Sequence, residues 1–424
     1  MNRSDQKRAL VFGDDMRIFL AVTRSLGRAG IQVQAVPFDW GASALKSRYV
    51  AKVHHLPRYM DGAYKWLNSV NRILDEERID LVIPCSDTAI LPLDHHRDEL
   101  NQVRLAIPDR RAMEFLFDKQ ETKRLASELS VPVAPGGRLS AIDTAAALAA
   151  RYGLPLVIKP RRSYWMDQLG SWGKVWIPRT LEELEDVLRR VEDKDRYLVE
   201  GFFVGGAGIG VSVLAREGRI LQAFQHRRMR EGWGGSSSYR ISEAIDPELL
   251  SACERVCRAV ELTGVCMFEF RRNDKTGASI LLETNARFWG SCPLPIAIGV
   301  DFPRYLFDLL VDGKEHPPVD YPVGVRSRNF VLDGHNIVSS LRHLDRAGPL
   351  ALLKDVGDFL LQPIGLLTGR ETSDSFVADD FMPGFAELAS LAGSLSNKRT
   401  RAAGVIPQRR LSDTPPTYDT KARL

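Results

Sequence analysis

Two apolar segments in the middle of the chain carry polar residues that could do chemistry. Met267-Phe268-Glu269-Phe270-Arg271 holds one carboxylate among apolar neighbours, and Leu281-Leu282-Glu283-Thr284-Asn285-Ala286-Arg287 spaces a carboxylate, an amide and a guanidinium two residues apart. Residues two apart on a strand share a face, so Glu283, Asn285 and Arg287 point the same way. If the two segments pair antiparallel across the turn Asn273–Gly277, Glu269 comes close to Glu283 across the ladder. Two carboxylates and an amide carbonyl are hard oxygen ligands, suited to magnesium held jointly with nucleotide phosphates. Left uncompensated among apolar neighbours, such carboxylates would be costly. Arg287 adds a fixed charge for a phosphate or a carboxylate. Taken alone, the pair of strands is explained equally well by a half-exposed hairpin with Arg–Glu pairs on its polar face.

Cationic and aromatic segments precede these strands. Lys159 ends the apolar run Leu154–Pro160, where a buried stem leaves the ammonium free for a phosphate. Lys119 follows Asp118 at the start of a predicted helix, where the helix dipole favours anions. The strand-like Tyr197–Glu200 runs into Gly201, Phe202 and Phe203, a connector able to stack a flat base and offer backbone donors and acceptors. His226, Arg228 and Arg230 lie at a cationic strand end beside the Gly/Ser-rich loop 232–238, a place to hold an anionic substrate or a phosphoryl group in transfer. The run Gly205–Gly210 leads into a strand and reads as a flexible turn. Solvated lysines, core aromatics and a solvated basic loop are the ordinary explanations, and each feature is weak by itself.

Other chemistries find less support. There is no GxxxxGK[ST], which excludes an ordinary P-loop. Cys253 and Cys257 are four apart on a predicted helix without histidines at ligand spacing, and read as core thiols. The adjacent pairs His54-His55 and His95-His96 do not face the same way. Ser163 and Ser291 have no local base arrangement. The arginines after His226 are too few, and lack a matching basic helix, for a nucleic-acid footprint; no nucleic-acid partner is expected.

The elements that must position these groups can be read in outline. In the first hundred residues short buried strands (Ala9–Gly13, Ile31–Val36, Ile79–Pro84) alternate with helical patterns, which argues for a parallel sheet covered by helices. The first turn, Gly13-Asp14-Asp15-Met16-Arg17, lacks the G-x-G-x-x-G that lets a backbone approach a pyrophosphate, so the domain is Rossmann-like without a nicotinamide site. Helices are expected from Asp118 to Leu129, from Ser140 to Tyr152 and over Leu181–Val191, with Val131–Gly137 as a loop. Two strands joined at Arg216-Glu217-Gly218 follow, then a helix capped by Asp246-Pro247, then the pair bearing the carboxylates, then a helix-like region from Pro293 to Gly313. The 424 residues, 44% hydrophobic and 26% charged, suit a soluble globular chain of several domains. No apolar run reaches membrane-spanning length, and the polar first residues give no signal-peptide pattern. Five cysteines without paired-knuckle spacing fit a reduced, cytoplasmic setting. Seven Lys or Arg against two Asp fall within Asn397–Leu424, leaving the rest of the chain near neutrality.

In sequence order, Asp118-Lys119, Val157-Ile158-Lys159-Pro160, Val199–Gly206, His226–Glu231, Phe268–Arg271 and Leu281–Ser291 together resemble the ATP-grasp superfamily. The likeness is greatest to its carbamoyl-phosphate-synthase-like branch, whose last motif is an acidic residue, any residue, Asn, any residue, Arg. It covers about Arg110 to Gly313. The resemblance implies a Rossmann-like domain over 1–109 and an ATP-grasp fold of two α+β subdomains over 110–315; the mixed stretch 316–394 reads as a C-terminal extension, and the Arg-, Thr- and Pro-rich basic tail 395–424 as disordered. It implies that Lys119 and Lys159 contact nucleotide phosphates and that Glu200, Gly201, Phe202 and Phe203 form the adenine hinge. Glu269, Glu283 and Asn285 would hold magnesium, with manganese as a substitute, and Arg287 would steady the transferred phosphoryl group. Members typically convert a carboxylate into an acylphosphate that an amine or another nucleophile captures; the implied partners are small-molecule carboxylate and amine substrates. The substrate would be gripped by the N-terminal domain, the loop Trp233–Tyr239 and the region after Gly313. Two departures stand out. The acid that many members use for the ribose hydroxyls would fall near Ala207 or Gly208, and the loop after Lys159, often glycine-rich, carries Tyr164, Trp165 and Trp172. These departures favour the alternative of a non-catalytic ATP-binding sensor or partner subunit; carboxyphosphate formation from bicarbonate is a third reading.

Overall fold

The computed structural model describes residues 6–170, 173–231, 237–341 and 349–400. The N-terminal part consists of β1 (Arg8–Phe12), α1 (Ile18–Arg28), β2 (Gln32–Val36), β3 (Val50–Val53), α2 (Ala63–Glu77), β4 (Leu81–Pro84), α3 (Asp87–His95) and β5 (Arg104–Leu105). Its five strands are all parallel, in the order β3-β2-β1-β4-β5. Ala9 and Val11 face α1, while Leu10 and Phe12 face α2, which is why β1 reads as an unbroken apolar run. The strand order reverses between β1 and β4, so a crevice opens beyond their carboxyl ends. At the first turn Asp15 caps α1: Oδ1 accepts from the backbone N–H of Arg17 (2.9 Å) and Ile18 (2.7 Å), and Oδ2 from Phe19 (3.1 Å). The chain's own carboxylate thus holds the helix start that a glycine-rich turn would offer to a pyrophosphate.

After α4 (Arg110–Leu116) and α5 (Lys119–Glu128) comes a small antiparallel sheet of β6 (Gly136–Arg138), β7 (Leu156–Pro160) and β8 (Tyr197–Gly201), in the order β6-β8-β7. It packs on α6 (Ala145–Tyr152) and α7 (Leu181–Arg190) through Leu148, Leu184, Ile158 and Val199. Two local expectations change. The helix expected from Ser140 begins at Ala145, because Thr144 caps it by accepting from Ala147 N–H (3.3 Å) while Asp143 ties the Ser140 N–H into a turn (2.6 Å). The stretch expected as a loop up to Gly137 ends in β6, and glycine is what allows it: a Cβ on Gly136 would lie 2.5 Å from the Val199 carbonyl oxygen.

The large sheet collects β9 (Ala207–Arg216), β10 (Arg219–Glu231), β11 (Ser237–Glu243), β12 (Gly264–Arg272), β13 (Ser279–Asn285), β14 (Arg326–Arg328) and β15 (Glu371–Ser373), in the order β13-β12-β9-β10-β11-β14-β15. The last two strands come from the C-terminal extension, which therefore continues this sheet. On one face Val211, Val213 and Phe268 pack against Cys253, Val256 and Cys257 of α8 (Pro247–Ala259), the thiols being core residues as expected. On the other face Leu214, Phe224, Val265 and Met267 share a core with α1, α9 (Pro293–Ala297) and α10 (Phe302–Asp312). The region expected as one helix after Pro293 is split at Gly299, whose φ of 101° leaves the helical region. The helix Met382–Thr400 runs past residue 394, into the stretch expected to be disordered; the basic tail 401–424 lies outside the described residues.

Candidate functional site

β12 and β13 pair antiparallel with Glu269 opposite Glu283, as the hairpin reading expects. β9 lies on the other side of β12 and sets Gly210 opposite Glu269; β10 sets His226 opposite Gly210. A row across four strands thus reads His226–Gly210–Glu269–Glu283 on one face of the sheet. Two glycines clear the surface of this row. A Cβ on Gly210 would stand 2.2 Å from the His226 ring, and one on Gly208 would stand 2.8 Å from Cδ of Arg228. Arg228 therefore lies flat across the strand and reaches Glu269 Oε2 with Nη2 at 2.5 Å. His226 is buried and stacks on Phe224 at 6.0 Å; burial, then the charges of Arg228 and Arg240, push its pKa well below the usual value, so the ring is neutral. The segment expected as a flexible turn is, from Ala207 on, part of β9 and of this sheet face. Its signal was glycine at every second position, 206, 208 and 210, the period of a strand face.

α5 supplies the cations. Thr284 Oγ1 donates to the Leu116 carbonyl (2.9 Å), pinning the α4–α5 corner to β13, and Lys119 Nζ then lies 3.3 Å from Glu283 Oε2. Lys159, at the end of β7, lies 2.8 Å from Glu200 Oε1, and Lys123, one turn after Lys119, pairs with the other oxygen of that carboxylate. Glu200 is buried; burial would raise its pKa, but the two lysines pull it below the usual range. Its side chain is thus committed to the lysines, while the backbone of Gly201 donates to the Pro135 carbonyl (2.8 Å) and Phe202 and Phe203 lead, half-buried, out of the small sheet. Burial also opposes ionisation of the central pair. At Glu283 the Lys119 and Lys159 charges win and hold its pKa at about 2; at Glu269 burial, helped by the neighbouring Glu283 charge, outweighs Arg228 and raises it.

Arg287 joins this row to the N-terminal sheet. Its Nε donates to Asp87 Oδ1 (2.6 Å) at the start of α3, beyond the carboxyl end of β4, and Nη2 to Asn285 Oδ1 (3.2 Å). Asn285 in turn donates to Glu269 Oε1 at 3.1 Å. Asp87, Lys119, Arg162, Tyr164 and Asn285 line a cavity of about 300 Å³ beside them. A wider open depression of about 860 Å³ lies on the opposite face of the sheet, where its charges pair among themselves, Arg227 with Glu243 and Arg272 with Asp246. Arg230 is turned away from the carboxylate row, onto Asp333 (2.5 Å) and Asp355 (2.8 Å) of the C-terminal extension. Of the loop Trp233–Tyr239, residues up to Ser236 lie outside the described residues, as does Trp172.

Sequence reading missed five residues around the row. Lys123 was signalled by its spacing from Lys119. Asp87 gave no local signal, since its partner is 200 positions away. Arg240, on β11, is 0% exposed, bound to Asp374 and Ser327, yet its Nε and Nη1 have no partner among the described residues. Arg17, at the start of α1, feels both Arg240 and Arg287, and its Nη1 lies so near Gly290 that a Cβ there would be 2.9 Å away. Glu231 lies at the place of one departure noted in the sequence. Its Oε1 overhangs Gly208, 2.4 Å from where a Cβ would be, and Arg271 holds its other oxygen at 2.9 Å.

Glu269, Glu283 and Asn285 fit a divalent cation by donor chemistry: hard oxygens on adjacent strands, with two half-buried carboxylates opposing one another's charge. Among the described residues no group of three or more His, Cys, Asp or Glu side chains comes together, so a cation here would draw further oxygens from a ligand such as a nucleotide.

An antiparallel sheet bearing this row, a small sheet bearing Lys159 and Glu200, and a parallel domain behind them make up an ATP-grasp architecture. Residues 198–330 match the model of a family described as ATP-grasp in the biosynthetic pathway with Ter operon, and the chain carries an ATP-grasp domain. It is 26% identical over 214 residues to the D-alanine–D-alanine ligase of Alkalilimnicola ehrlichii, a match spanning 47% of this chain and 66% of the relative, just under two thirds of its length. Among solved structures it resembles the biotin carboxylase domain of the Hydrogenobacter thermophilus 2-oxoglutarate carboxylase in complex with MgADP, ADP and bicarbonate (TM-score 0.59, 18% identity, 76% of this chain and 73% of that one). It also resembles an L-amino acid ligase from Bacillus licheniformis (0.56, 18%, 74% and 78%). N5-carboxyaminoimidazole synthetase from Staphylococcus aureus, complexed with ADP, is similar as well (0.58, 12%, 74% and 80%). At these identities the structural likenesses speak for the fold.

Proposed function

We propose that the chain is an ATP- and magnesium-dependent ligase that activates a carboxylate as an acylphosphate for capture by an amine or another nucleophile. The observation that carries this reading is the row of Glu269 and Glu283 on one cleared sheet face, with Lys119 against one carboxylate and Arg228 against the other, and with Asn285 and Arg287 in the same hydrogen-bonded chain. Phosphoryl transfer asks a protein for positioning and charge neutralisation more than for a covalent residue. Glu269, Glu283 and Asn285 would hold magnesium, which supplies Lewis-acid stabilisation of the phosphate charge when bound. Lys119 and Lys159 would trade part of their carboxylate contacts for nucleotide phosphates. A substrate carboxylate oxygen attacks the γ-phosphorus, the bond to the bridging oxygen breaks and ADP leaves; the nucleophile then attacks the acyl carbon and expels phosphate. Arg287, held by Asp87, is placed to steady the transferred group, and the unused donors of Arg240 favour an anionic acceptor. We assign the ribose hydroxyls to Glu231, whose carboxylate overhangs the position where the sequence has only glycine. The relatives solved with MgADP and ADP support the same nucleotide here.

The test is magnesium-dependent ADP release across a panel of amino acids and small carboxylates, with Arg287→Ala alongside. One carboxylate is expected to stimulate release, and the variant is expected to bind ATP while losing roughly 10²–10³-fold in turnover. ATP binding with no stimulation by any acid would favour the sensor reading; unchanged turnover in the variant would remove Arg287 from the transfer.

A further inference from the structure

The C-terminal extension contains a helical segment that turns a row of apolar side chains to solvent. The helix Pro349–Leu360 is followed, one residue later, by the helix Gln362–Leu367. Toward the protein it turns Leu352, which is buried, Asp355, whose carboxylate takes Arg230 at 2.8 Å, and Phe359, whose ring meets Phe330 at 4.9 Å. The Asp358 carbonyl on the same side accepts from Arg328 at 3.1 Å. Toward solvent it turns Leu353, Leu360, Leu361, Ile364 and Leu367, of which Leu360 is 70% and Leu367 88% exposed. A surface helix ordinarily keeps its solvent face polar, and a contiguous apolar face of this kind marks a contact.

We propose that this face docks on an anionic lipid bilayer, lying in its interface. The charge pattern selects that occupant. From Leu352 to Arg370 the exposed charged residues are Lys354 and Arg370, and both carboxylates of the stretch, Asp355 and Asp358, are only partly exposed, with Asp355 engaged inward. Leucines rimmed by cations match acyl chains beneath anionic headgroups. The same pattern disfavours a second copy, because a two-fold contact is self-complementary and this face would set cation against cation. The net positive tail that follows the last helix adds charge of the same sign. Among the described residues no helix is long and apolar enough to cross a membrane, so the segment lies on the bilayer and does not span it. The inward anchor is Arg230, two residues after Arg228 on β10. This inference does not depend on the ligase reading.

The test is flotation of the full chain with vesicles of phosphatidylcholine alone and of phosphatidylcholine with phosphatidylglycerol. The protein is expected to float with the anionic vesicles, less so as salt rises, and only weakly with neutral ones. The double variant Leu360→Ser/Leu367→Ser is expected to lose at least about tenfold in vesicle binding, with its elution volume unchanged. Lys354→Glu/Arg370→Glu is expected to weaken binding to the anionic vesicles specifically. Failure to float with either vesicle would overturn the proposal, as would flotation of the leucine variant equal to the parent's. A dimer in sedimentation velocity that the leucine substitutions dissolve would overturn it in favour of a second copy.

Discussion

At the residue scale the site is a set of half-buried and buried charges that compensate one another in pairs: Lys119 with Glu283, Arg228 with Glu269, Lys123 and Lys159 with Glu200. At Glu283 and Glu200 the paired cations outweigh burial, whereas at Glu269 burial wins over Arg228, and each pair carries a donor or acceptor that a nucleotide and its metal could claim. Glu283 and Glu269 are separated in acidity although they face one another, because the lysines stand on one side and the arginine on the other. Glu231 is the residue whose role is most exposed to test. Replacing it with Gln keeps its volume and removes its charge; the KM for ATP is expected to rise about tenfold with kcat little changed. Steady-state kinetics with ATP varied would check this, and an unchanged KM would place the ribose elsewhere.

At the element scale the glycines of β9 decide the shape of the floor. Gly210→Ala puts a methyl group where the His226 ring lies, and is expected to cost about 1–3 kcal/mol by overpacking. Urea unfolding would measure it, and a neutral outcome would mean that the ring can swing aside. The hairpin of β12 and β13, the Glu217-Gly218 turn and the helices capped by Asp118 and Asp246 were all legible in the sequence, because strand period, turn residues and side-chain caps are local signals. What could not be read depended on partners distant in sequence. Arg287 with Asp87, Thr284 with Leu116 and Arg230 with Asp355 join residues with no pattern in common. Gly136 looked like part of a loop because its need for close approach to β8 appears only when β8 is in place. The glycine run at the start of β9 is a different case: its period of two is present in the sequence, but glycine equally signals a flexible turn.

At the scale of the whole molecule, three parts of the chain are fastened around one site. The central sheet shares a core with α1 and the N-terminal strands, and Arg287 crosses that junction to Asp87. The far end of the chain returns to α1 as well. Arg24, buried, donates to Asp380 Oδ2 (2.9 Å) and to the carbonyls of Asp374 (2.8 Å) and Ser375 (2.9 Å). Arg24→Ala leaves Asp380 buried and short of its partner, at an expected cost of about 3–5 kcal/mol. The loss should appear as a lower urea midpoint, and a shift near zero would show that the extension is held by other contacts. The central claim is that the Glu269–Glu283 row serves phosphoryl transfer, and Glu283→Gln tests it most directly. With the carboxylate that best stimulates the parent enzyme, magnesium-dependent ADP release by the variant should fall at least about 100-fold, while circular dichroism and thermal unfolding stay close to the parent's. A well-folded Glu283→Gln protein that releases ADP at the parent's rate would contradict the account.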